Sequence, residues 1–137
     1  PVRFYERLEP AVFVLRLVPG MRADIIPLLA PHYRALVVES FGVGGLPGGE
    51  HGEMYARLQD WCTSGRLAVF TPQVPHEGCD LAVYEVGRSV KELPGVLEAK
   101  DMTPEAVAVK LMWALGQTTD RAEAMRLFTT PVEWDIV

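Results

Sequence analysis

The sequence predicts an α/β domain, a parallel four-stranded sheet with helices on both faces, and three observations carry that prediction. Apolar runs bounded by Gly and Pro recur at 11–18, 35–41 and 67–70, with a brief fourth at 96–99. Runs of this kind read as strands buried on both faces. Between and after them lie stretches with apolar residues every three or four positions, at 52–64, 103–116 and 120–128, which is the spacing of a buried helix face. Strand and helix alternate along the chain, and that order implies parallel pairing through right-handed crossovers.

Composition narrows the class further. At 137 residues, 49% hydrophobic and 23% charged, the chain is one ordinary domain able to bury its own core. A formal net charge of −5 argues against a nucleic-acid surface, which needs clustered Lys and Arg, and against an anionic membrane. No apolar run is long enough to span a bilayer. The start, Pro1-Val2-Arg3-Phe4, has neither a Met nor a signal-peptide pattern and reads as a fragment or processed product. Cys62 falls on a helix face pointing to a core and Cys79 in a loop, so the simpler reading is two reduced thiols in a cytoplasmic protein.

In chain order, the first strand is closed by Pro19-Gly20, after which Asp24 is placed to cap a short helix over 25–30. Pro27 falls in the first turn of that helix, where its missing N–H costs nothing, and Pro31 ends it. The second strand, 35–41, opens into the glycine cluster Gly42-Val43-Gly44-Gly45-Leu46-Pro47-Gly48-Gly49. The next helix buries Met54, Leu58, Trp61 and Cys62 and stops at Gly65. A third strand leads into the breaker-rich loop Thr71-Pro72-Gln73-Val74-Pro75-His76-Glu77-Gly78. Asp80 is placed to cap a helix lined by Val83, Val86, Gly87 and Val90, which Pro94-Gly95 ends. Thr103-Pro104-Glu105 has the cap, first-position Pro and early acid of a helix start, with Val107, Leu111, Ala114 and Leu115 inward and Gly116 as its stop. Asp120 and Glu123 have capping-box spacing ahead of a last helix that buries Ala124, Leu127 and Phe128.

Loops 42–52 and 71–80 leave the same edge of such a sheet, and that edge is the candidate functional surface by the switch-point rule. Its glycines serve either a close backbone approach to another molecule or simply a long turn. Complete catalytic motifs are missing. The glycine loop lacks the third glycine opening a helix that a dinucleotide fingerprint needs, and no Gly-Lys-Ser or Gly-Lys-Thr follows it. His76, Glu77 and Cys79 are too few ligands, without a second pair, for a zinc site, and His51 with Glu53 is only half of a deaminase motif. No nucleophile elbow occurs. The residues therefore call for no cofactor and no metal, and any chemistry is shared with something outside this chain.

Read together, three segments resemble the C-terminal domain of bacterial type I L-asparaginases. They are Val37-Val38-Glu39-Ser40-Phe41-Gly42-Val43-Gly44-Gly45-Leu46-Pro47, then residues 71–78, and Asp101-Met102-Thr103-Pro104-Glu105-Ala106 with Lys110-Leu111-Met112-Trp113. The resemblance implies a flavodoxin-like half of a cytoplasmic two-domain amidohydrolase that releases ammonia from L-asparagine. It also implies that the nucleophilic Thr, in a Thr-Gly-Gly-Thr motif, lies in an N-terminal domain absent from this chain. Thr119-Asp120 only imitates the family's second catalytic motif and reads as a helix cap. In the family, the C-terminal domain of one subunit closes the active site of its neighbour, which makes a homo-oligomer the implied state. Gly42, Gly44, Gly45, Gln73, His76 and Glu77 are the residues so assigned to substrate binding or closure.

Departures from the family pattern bear on regulation and specificity. Glu39 stands where allosteric type I enzymes carry Arg, and Val74 where they carry Cys. An acid there repels a ligand carboxylate. Gly45 stands where many relatives have Asn. Two other readings remain: a stand-alone binding or oligomerisation domain, and the asparaginase-like subunit of a tRNA-dependent amidotransferase, whose relatives carry Gln-Cys where Gln73-Val74 stands.

Overall fold

The computed structural model describes residues 6–40, 45–49, 52–73 and 85–132. Its elements are β1 (Val12–Arg16), α1 (Ile25–Leu29), β2 (Ala35–Ser40), α2 (Glu53–Thr63), β3 (Leu67–Pro72), α3 (Glu85–Lys91), β4 (Val96–Glu98), α4 (Pro104–Gln117) and α5 (Arg121–Thr129). The four strands are parallel and lie side by side in the order β1-β2-β3-β4. Ala35 to Val38 of β2 and Leu67 to Phe70 of β3 are all at most 1% exposed, as central strands covered on both faces must be. Each such Val, Leu or Phe side chain contributes about 1.5–3 kcal/mol of burial.

Alternation of side chains along each strand divides the interior in two. Leu36, Val38, Ala68 and Phe70 pack with Ile26 and Leu29 of α1, Leu58 and Trp61 of α2, and Val90 of α3. On the other face Ala35, Val37, Leu67 and Val69 pack with Val107, Leu111 and Ala114 of α4 and Phe128 of α5. The buried Trp61 indole donates to the Leu67 carbonyl at 2.8 Å, fixing α2 against the start of β3.

One expectation fails in an informative way. Strand order runs from β1 to β4 without reversal, so the described strands form no switch point of the kind the rule requires. Successive right-handed crossovers advancing in one direction must all fall on one face, which is where α1, α2 and α3 lie. The second face is covered instead by the two helices that follow the last strand.

Helix ends follow local chemistry, with three corrections. Thr103 Oγ1 accepts from Ala106 N at 3.2 Å with Pro104 in the first turn, and Asp120 Oδ1 accepts from Ala122 N at 3.1 Å. Asp24 does not cap: its backbone is helical (φ −64, ψ −13), and its carboxylate is drawn to Arg22 at 2.7 Å. Nor does Glu123 close a capping box. Arg126, one turn on, bonds it at 2.6 and 2.9 Å and holds its carboxyl below the usual range, while the Asp120 N–H donates to Thr118 Oγ1 at 3.0 Å. Gly116 does not stop α4, which continues to Gln117. A Cβ there would collide with the Arg7 carbonyl oxygen and lie 2.7 Å from its carbonyl carbon, so the residue is Gly to let the N-terminal segment cross the helix. Asp80 and Val83 lie outside the described residues, and Leu127 is only half-buried.

Candidate functional site at the carboxyl edge of the sheet

The two loops predicted to share an edge leave adjacent positions. Ser40, the last residue of β2, is the register partner of Pro72, the last of β3. Backbone bonds knit this edge beyond the strands: Leu17 N–H donates to Glu39 O at 2.9 Å, Gln73 N–H to Ser40 O at 3.2 Å and Ala99 N–H to Phe70 O at 2.9 Å.

Gln73 is the best-defined of the assigned residues. Its side-chain Nε2 donates to Leu17 O at 2.5 Å and to Glu39 O at 3.0 Å. Both amide hydrogens are thereby committed to tying the ends of β1 and β2 to β3, which leaves the amide oxygen as the side chain's remaining acceptor. Gly45 is half-buried, and Leu46 after it is anchored in the core at 5% exposure. Further along, Gly48 has φ +80, and a Cβ on Gly52 would lie 2.8 Å from the Gly48 carbonyl carbon and oxygen. That part of the loop needs its glycines for its own geometry. Gly42, Gly44, His76 and Glu77, with Cys79, lie outside the described residues.

A residue that the sequence patterns do not single out also lies here. Ser40 is fully buried, and its Oγ has no hydrogen-bond partner among the described residues. A buried hydroxyl without a partner costs about 1–3 kcal/mol, which makes it an exception in need of an explanation. The available signal was a small hydroxyl residue, Ser40, closing a largely apolar strand one residue ahead of the glycine cluster. On the opposite face of the sheet the register sets Arg16 beside Glu39 and Glu39 beside Thr71, so the acid at position 39 has a guanidinium on the neighbouring strand.

Cys62 is excluded as a nucleophile by its surroundings. It is fully buried in the core, and burial pushes its thiol up to about 11, against a smaller opposing pull from Arg121. Thiols used for attack are held lower, not higher. Among the described residues no three His, Cys, Asp or Glu side chains are grouped to hold a metal ion, and no helix is long and apolar enough to cross a membrane.

Residues 11–128 match the family model of the glutaminase/asparaginase C-terminal domain. The chain is 35% identical to the L-asparaginase of Thermococcus kodakarensis over 97% of its own length and 40% of that protein's. The solved structure of that thermostable enzyme superposes with a TM-score of 0.86. A glutamyl-tRNA(Gln) amidotransferase subunit from Metallosphaera sedula is 36% identical over 94% of this chain and 28% of its own length. L-asparaginase I of Vibrio cholerae matches at 25% identity with a TM-score of 0.81, covering 94% of this chain and 38% of the other. The chain thus spans two fifths or less of each of these relatives.

Proposed function

The chain belongs to the glutaminase/asparaginase C-terminal domain family, and from that premise we propose that it is the C-terminal domain of a type I, cytoplasmic L-asparaginase that works joined to an N-terminal catalytic domain. The reaction is hydrolysis of L-asparagine to L-aspartate and ammonia. A threonine hydroxyl of the N-terminal domain attacks the side-chain amide, backbone N–H groups stabilise the oxyanion, and water resolves the acyl-enzyme. The carboxyl edge of this domain, with Gly42, Gly44, Gly45, Gln73, His76 and Glu77, closes the active site of a neighbouring subunit in a homo-oligomer.

The observation that carries this reading is the convergence of both loops on one sheet edge, with Ser40 and Pro72 as register partners and Gln73 locking that edge from below. Such a platform fixes where the two loops leave the sheet. Regulation by free asparagine is not part of the proposal, since Glu39 replaces the Arg on which the resemblance rests it.

A second reading, the asparaginase-like subunit of a tRNA-dependent amidotransferase, is favoured by the 36% identity to the Metallosphaera protein. The test is ammonia release from asparagine and from glutamine, by the chain alone and fused behind the N-terminal domain of the Thermococcus enzyme. The expected result is no activity alone and asparagine-selective activity in the fusion. Activity of the isolated chain above that of a mock purification overturns the shared-site reading, and glutamine selectivity in the fusion moves the lead to the amidotransferase. An in-frame Thr-Gly-Gly-Thr segment in the coding DNA upstream of Pro1 supports the two-domain enzyme; a stop codon there favours a stand-alone binding domain.

A further inference from the structure

At the opposite end of the sheet, where the strands begin, α1, α2 and α4 reach their C-termini, whose last carbonyls lack intrahelical donors. Three arginines answer them. Arg66 donates from Nη2 to Ala30 O at 2.8 Å and from Nε to Tyr33 O at 3.2 Å, just past α1. Arg121 donates from Nη1 to Cys62 O at 2.6 Å in the last turn of α2, and Arg34 from Nη1 to Leu115 O at 3.3 Å in the last turn of α4. Local satisfaction of carbonyls is a sufficient reason for one bond from each guanidinium. It is not a reason for all three to line the same open pocket, of about 310 Å³, together with Ser64 and Thr119.

Donor capacity remains after those bonds are made. Arg34 and Arg121 make their hydrogen bonds through Nη1 alone, so Nε and Nη2 of each have no protein acceptor among the described residues. No Asp or Glu is among the described residues lining the pocket. One carboxylate, Glu9, pairs with Arg34, its Oε2 lying 3.5 Å from Nη1. Three full positive charges thus line a pocket whose described lining holds no carboxylate, against helix ends worth at most about half a charge each. Guanidinium forks match phosphate and carboxylate oxygens, and the volume is at the small end of ligand pockets.

We propose that this pocket binds a small oxyanion, a phosphate or carboxylate group, at the end of the sheet away from the candidate active edge. The proposal does not depend on the asparaginase reading. A chain of net charge −5 repels anions in general, so saturable binding must be local. Inorganic phosphate and, separately, succinate are titrated into the chain at an ionic strength held constant with chloride, following the arginine Nε–H resonances by ¹⁵N NMR and the melting temperature. Saturable shifts at Arg34 and Arg121 with a rise in Tm are expected; the anion that saturates at lower concentration tells a phosphate site from a carboxylate site.

Thr119→Glu, at an exposed residue whose side chain makes no bond among the described residues, places a competing carboxylate at the rim. It is expected to weaken binding about tenfold or more, the worth of one charge-assisted hydrogen bond. Arg34→Gln is expected to do the same by removing donors. Absence of saturable shifts with both anions overturns the proposal, as does binding unchanged in both variants.

Discussion

Replacing Gly116 with Ala sets two effects of known sign against each other. Ala is favoured over Gly in a helix interior by about 1 kcal/mol, so on α4 alone the substitution stabilises. The structure reverses that sign, because the new Cβ would collide with Arg7 O and lie 2.7 Å from its carbonyl carbon and 3.0 Å from Leu8 Cα. Backbone on both sides leaves little room to yield. If the N-terminal segment lifts away, it gives up the bonds from Gln117 Nε2 to Arg7 O (2.8 Å) and from Glu9 N to Met112 O (2.9 Å), each worth about 1 kcal/mol. If it stays, overpacking costs about 1–3 kcal/mol. Lifting the segment away nets a loss of about 1 kcal/mol and overpacking one of up to about 2 kcal/mol, read by urea unfolding as a lower midpoint at unchanged slope and by a Tm lower by up to several degrees. Stabilisation by the full propensity gain would refute the close crossing of the segment over α4.

Three further outcomes follow from single side chains. Because burial raises the Cys62 thiol from 9.0 to about 11, the unfolded state releases its proton first; the stability Cys62 confers is therefore intact below pH 9 and lost between about pH 9 and 11, up to about 3 kcal/mol. Unfolding titrations of wild type and Cys62→Ala across that window check this, and equal slopes would exclude it. Gln73→Ala removes both bonds at the ends of β1 and β2 and should cost roughly 1–2 kcal/mol; an unchanged denaturation midpoint would show that the edge is held by its backbone bonds alone. Ser40→Ala deletes a buried hydroxyl that has no partner among the described residues and should leave stability unchanged or raise it by up to about 1 kcal/mol. A loss above about 1 kcal/mol would show that the hydroxyl is bonded in the folded chain.

Much of this molecule is written in short-range pattern. Runs of β-branched and aliphatic residues between Gly and Pro mark the strands, three-and-four spacing marks the buried faces of α2 and α4, and Thr103-Pro104 and Asp120 mark helix starts that the structure keeps. Those features depend on neighbours within one turn or one strand, so local sequence suffices to determine them. The loops were legible as glycine-rich and breaker-rich, and their shared edge followed from parallel pairing. What the sequence could not determine was competition between distant groups. Asp24 and Glu123 have the right chemistry to cap, yet each is taken by an arginine nearby. Gly116 has the identity of a helix stop but serves a chain crossing more than a hundred residues away in sequence. Gln73 spends its amide on carbonyls at the ends of β1 and β2, and the arginines at positions 34, 66 and 121, far apart in sequence, meet at one pocket only in the folded chain. Composition and periodicity determine which elements form, since each is decided by its own hydrophobic face; which polar groups meet is decided by topology, because a charge or amide bonds whatever acceptor the packed sheet places within about 3 Å of it.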